Sequence, residues 1–140
     1  MLGFSGDITL KKISPIEFEL IEDLTYQNEE IAVTAKKGLI TDGASIPRWA
    51  WRFIGSPFTG KYTGAALIHD ALYMAEALPR KQCDNLFLEM LEVEGVSYWK
   101  RYAMYWTVRV GGGWVWKKHT KESVEKGKKY CEVRYENTVN

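Results

Sequence analysis

YTGAALIHDALYMAEALPRKQCDNLFLEMLEVE, residues 62–94, holds two helical patterns broken at Pro79. From 62 to 77 apolar residues run nearly all round the helical wheel, as expected of a central, buried helix. From Arg80 to Glu94 the pattern narrows to a stripe. Phe87, Leu88 and Leu91 recur at helical spacing, and Gly95 suits the C-terminal stop. So short a connection makes the two helices antiparallel neighbours. Three ionisable groups interrupt this greasy pair: His69 and Asp70 side by side, and Asp84 across the turn. Burying such groups costs several kcal/mol unless each finds a partner.

Upstream the chain reads as β. FELIEDLTY (18–26) and EIAVTAKK (30–37) are runs with β-branched and aromatic residues, separated by the polar turn QNE. Gly38 leads into LITDGASIPRW, where Asp42-Gly43 signals a turn and Pro47 suits the first turn of a short helix over RWAWRF. Downstream, Ser97 can cap a third long helix, YWKRYAMYWTVRV, which Gly111-Gly112-Gly113 should end. The expected class is α+β, a small N-terminal antiparallel β-meander packed on a bundle of about three helices. Residues 1–116 would form the single domain. The lysine-rich segment 117–140, an amphipathic helix plus the short strand CEVRY, would be a basic polar tail, either an arm for a partner or a frayed end.

Bulk properties narrow the classes. The 140 residues are about one domain, and 46% hydrophobic with 26% charged composition excludes wholesale disorder. A net charge of +1 gives no global signal for nucleic acid or for an anionic membrane. Two cysteines, Cys83 and Cys131, make no disulfide framework or zinc pattern, so a reducing cytoplasm is the expected setting. The start, MLGFSGDITLKK, has no signal-peptide pattern, and no apolar run approaches the ~20 residues of a membrane span.

The polar residues of the helix pair form a set. His69 and Tyr73 are i and i+4, on one face, with Asp70 about 100° round from His69. Asp84 lies on the apolar stripe of its helix and so points inward. Counted from Pro79, it stands level with Tyr73, with His69 one turn, roughly 5–6 Å, further along. A carboxylate holding one imidazole nitrogen fixes the tautomer and leaves the other to take a proton. The catalytic candidates are therefore His69, Asp84 and Tyr73. Asp70 can hold a hard cation, with Asp42 and carbonyls of residues 55 to 60 as further donors. The competing reading is a polar cluster that pins two helices, with Arg48, Arg52 or Lys61 neutralising Asp70; Arg is the ordinary answer. Ser45, not in a nucleophile elbow, reads as a cap for the short helix.

Most of the six Trp and eight Tyr fall on helical stripes and read as core. GGGWVWKKH (111–119) is the exception, suited to docking at a surface.

GLITDGASIPRW, YTGAALIHDALY, CDNLFLEML and MYWTVRVGG, in that order from about Gly38 to Gly112, resemble the hallmark blocks of a family of unknown function encoded by bacteriophages and prophages. The resemblance implies a phage-associated protein, in the host cytoplasm or the virion, with phage or host proteins as partners. A shorter resemblance links HDALY and the inward Asp84 to the active-site helices of phospholipase A2 enzymes. It implies His69 as base, Asp70 as calcium ligand, and Tyr73 and Asp84 as the pair that holds His69. This chain lacks the disulfides common in that family, and IGSPFTGKYTG is not its usual calcium loop.

Two functional classes follow. One is a virion, assembly or host-interaction component in which the cluster is structural. The other is a metal-assisted His-Asp hydrolase acting on a lipid or small ester.

Overall fold

The computed structural model describes residues 2–43, 45–57 and 61–136. Its N-terminal strands are β1 (Gly3–Ser5), β2 (Leu10–Lys12), β3 (Phe18–Leu20), β4 (Leu24–Gln27), β5 (Ile31–Ala35) and β6 (Ile40–Thr41). The stretch expected as one strand over 18–26 is thus two, β3 and β4, with Glu22-Asp23 at the corner. Asp23 fixes that corner: its carboxylate accepts the Lys37 backbone N–H at 2.8 Å. The chain changes sheet there. Strands β1, β4 and β5 belong to a four-stranded antiparallel sheet, and β2, β3 and β6 make a second sheet of three. The expected meander is therefore two sheets. β1 and β2, three residues each, are too short to show alternation in the sequence.

In the larger sheet the pleat sets the core face. Leu24 faces Ala35 and Tyr26 faces Val33 across the β4–β5 pair, and all four are buried. Against this face lies α2 (Thr63–Ala75), in which every residue but Met74 is buried. α3 (Arg80–Val93) follows antiparallel, as the spacing predicts. It ends in a Schellman motif, with Gly95 at φ 82° and the Gly95 and Val96 N–H groups bonded to the carbonyls of Glu92 and Leu91. The α+β class holds: among the described residues the three long helices α2, α3 and α4 (Tyr98–Lys117) are joined by the short α1 (Arg48–Ile54) and by α5 (Lys121–Lys128).

α4 does not stop at the triple glycine; it runs through it to Lys117. Tertiary packing overrides propensity here. A Cβ on Gly111 would collide with Pro47, and one on Gly112 with the Tyr73 hydroxyl, so the absent side chains let α4 close on α1 and α2.

The lysine-rich segment is likewise part of the fold. Thr120 caps α5 through a capping box with Ser123, and Gly127 brings α5 against the Met74 carbonyl at the end of α2. The last strand, β7 (Cys131–Tyr135), pairs along the whole of β5, with Val133 opposite Val33. Up to residue 136 this segment is neither arm nor frayed end. Among the described residues no helix is long and apolar enough to cross a membrane.

Candidate functional site

Five polar side chains are buried where β6, the following turn, α2 and α3 meet: Thr41, Ser45, His69, Asp70 and Asp84. α2 and α3 bring His69, Tyr73 and Asp84 together as the helical spacing predicts. Asp84 Oδ1 is 2.8 Å from His69 Nε2 and accepts the Tyr73 hydroxyl at 2.7 Å. Its other oxygen accepts Arg109 Nη1 at 2.7 Å and stands 3.6 Å from Arg80. Burial alone would push the Asp84 carboxyl up. The bond and charge of His69, with the bonds from Tyr73 and Arg109, outweigh it and hold the group below the usual carboxylate range. Burial and Asp84 together push the Tyr73 phenol up, so it stays protonated and donates.

Arg109 is the functional neighbour that sequence reasoning missed. The signal was present: it is the only charged residue between Arg101 and Lys117, alone in an aromatic run. The glycines of α4 let its helix come close enough for that guanidinium to reach Asp84.

Ser45 is the second omission. Expected as a helix cap, it makes no cap bond to α1, whose N-cap position is Pro47. Its hydroxyl instead lies 3.1 Å from His69 Nδ1. An ionised Asp84 only accepts, so Nε2 carries the proton that faces it. In the neutral ring Nδ1 then presents a lone pair to Ser45 Oγ. Ser45, His69 and Asp84 thus form one chain, with the two ring nitrogens facing opposite ways.

None of the basic side chains expected to neutralise Asp70 does so. Arg48, Arg52 and Lys61 are all exposed, and Arg48 lies over the Trp51 ring, 5.1 Å from its centroid. Asp70 accepts instead from the Thr41 hydroxyl and, at 3.2 Å, from the Ser45 backbone N–H. With burial dominant and Asp42 adding like charge, its pKa is raised to about 6, even though Ser45 and His69 pull it down. Among the described residues no group of three or more His, Cys, Asp or Glu side chains is arranged to hold a metal ion. Residues 58–60, part of the loop expected to lend carbonyls, lie outside the described residues.

The cluster opens on one side. A cleft of about 240 Å³ is lined by Asp42, Ser45, Asp70, Tyr73 and His119, among others. His119 Nδ1 pairs at 2.9 Å with Glu76, which ends α2 in the left-handed conformation at φ 44°.

A family model described as "Protein of unknown function (DUF1353)" matches residues 18–108, a span that contains Thr41, Ser45, His69, Asp70, Tyr73 and Asp84 and stops one residue short of Arg109. The chain belongs to that family. It is also similar to "Uncharacterized protein y4jT" of Sinorhizobium fredii, with 38% identity over 98 residues, 68% of this chain. The matched part spans 29% of that relative's length. No solved structure matches.

The chemistry on offer at this cluster is proton transfer. A hydroxyl at the edge of a cleft faces an imidazole whose far nitrogen is held by a carboxylate, itself anchored by a phenol and a guanidinium. The rings of Tyr73 and Phe87 pack against that of His69, with centroids 4.3 and 4.6 Å away.

Proposed function

We propose that this protein is a small acyl hydrolase in which Ser45 is the nucleophile, His69 the general base and Asp84 the group that orients it. One observation carries the reading: Ser45 Oγ at 3.1 Å and Asp84 Oδ1 at 2.8 Å lie on opposite nitrogens of one buried ring. In the first step Ser45 Oγ bonds to the acyl carbon of an ester, and its proton passes to His69 Nδ1. That proton then leaves with the alkoxide as the alcohol. Water, giving a proton to the same nitrogen, releases the acid and restores Ser45. Asp70 is a positioning residue, holding Ser45 through its backbone N–H. Although Ser45 is only 4% exposed, it lines the cleft through which a substrate would enter.

A second reading keeps the protein a non-enzymatic phage component, for virion, assembly or host contact, with the cluster as a structural pin. It is favoured by the pairing of the cluster: among the described residues no buried side-chain nitrogen or oxygen lacks a partner.

Hydrolysis of short-chain p-nitrophenyl esters, run beside thermal melts, separates the two. The hydrolase reading expects turnover that Ser45→Ala and His69→Gln reduce at least ~100-fold in a folded protein. No turnover by the wild type, with His69→Gln costing about 1–3 kcal/mol of stability, would favour the pin.

A further inference from the structure

α4 is 20 residues long and buries little of itself: Met104, Val108 and Gly112 face the core. The opposite side carries Trp99, Trp106, Val110 and Trp114, exposed by 71, 60, 72 and 76%, with Tyr102 among them. At 100° per residue, positions 99, 102, 106, 110 and 114 fall in one sector of about 120°. This is a continuous stripe along a helix of some 30 Å. Lone exposed apolar residues are ordinary, whereas a continuous exposed patch of this kind marks a binding surface. Trp49 of α1, 61% exposed, extends the patch across a groove of about 690 Å³ that it shares with Pro47, Val110, Trp114 and Lys118.

Along α4 and its flanks the chain itself carries charge of one sign. From Val96 to Lys121 the chain holds no Asp or Glu, while Lys100, Arg101, Lys117, Lys118 and Lys121 are basic, and Arg109 is turned inward to Asp84. Glu92 of α3 reaches only Arg101, at 4.0 Å, near the start of the helix. A second copy of this face would set cations against cations with no acid between them. The net charge of +1 favours neither nucleic acid nor anionic lipid, so the choice rests on the side chains of the face. Indole and phenol rings, amphipathic and bordered by lysine, are the side chains that settle at the headgroup level of a bilayer.

We propose that the Trp99–Trp114 face of α4, with Trp49 beside it, docks the protein on an anionic lipid surface, lying in the interface without crossing it. Docking is independent of any hydrolysis at Ser45.

The test is sedimentation of the full chain with vesicles of phosphatidylglycerol and phosphatidylcholine, and with phosphatidylcholine alone. Binding is expected to the anionic vesicles and to weaken with salt. Trp106→Ser/Trp114→Ser and Lys117→Glu/Lys118→Glu should each reduce it by about tenfold or more, with unchanged melting. All these side chains are at the surface, so the variants fold. No binding to the anionic vesicles, or binding indifferent to both double variants, would overturn the proposal. So would a wild-type dimer in light scattering that Trp106→Ser/Trp114→Ser returns to monomer, or capture of a single-stranded oligonucleotide through the same residues.

Discussion

Asp70 and Asp84 are both buried, yet their surroundings drive their protonation in opposite directions. Asp84 is held ionised, so its contribution to stability is present above the usual carboxylate range and is lost as pH falls. Asp70 behaves the other way. With its folded pKa raised to about 6, the folded chain binds this proton more tightly than the unfolded chain does. Stability therefore falls as pH rises from the ordinary carboxylate value through about 6, by ~3 kcal/mol if Asp70 acts alone. Asp70→Asn should flatten that fall, measured by denaturant unfolding at about pH 4 and about pH 7. An unchanged slope would remove Asp70 as its source. Much at this scale was legible in the sequence. Helical spacing places His69, Tyr73 and Asp84 together because periodicity is local. Ser45 was not legible: a serine in a tight turn looks like a cap, and its approach to His69 depends on how β6 delivers the turn to α2.

At the scale of the element, α4 is the instructive case. Three consecutive glycines read as a stop because each costs about 1 kcal/mol against Ala in a helix interior. That local preference is real and is overridden by the space available. A Cβ at Gly112 meets the Tyr73 hydroxyl and Arg80, whereas one at Gly113 finds only the Arg80 guanidinium, at 3.9 Å. The two alanine variants should therefore differ in sign. Gly113→Ala is expected to stabilise by up to about 1 kcal/mol through helix propensity. Gly112→Ala should destabilise by ~1–3 kcal/mol, because Tyr73 must leave Asp84. Thermal melts of the pair decide it, and equal shifts would contradict this packing of α4 on α2. The α2–α3 pair was legible because its periodicity, its Pro79 turn and its Gly95 stop agree with one another. α4 was legible only in its first half.

Across the whole molecule, the first and last strands form the two edges of one sheet. β7 completes the sheet begun by β1, and Val133 opposite Val33 closes its far edge. Nothing local signals this, since CEVRY is short and preceded by a lysine-rich helix that reads as solvated. The two-sheet arrangement was hidden for a similar reason: β1, β2 and β6, with three, three and two residues, are too short to announce themselves. Removing residues 131–140 should strip β5 of one neighbour and lower the melting temperature by about 5 °C or more, on the scale of ~1–2 kcal/mol. A detachable arm would leave the melt unchanged.

The chain from Ser45 through His69 to Asp84 is tested most directly with a fluorophosphonate, followed by peptide mass spectrometry. A nucleophile activated in this way should take one phosphonyl group on Ser45, at a rate that drops at least ~100-fold in His69→Gln. A folded wild-type protein that stays unlabelled, or is labelled at another residue, would contradict it.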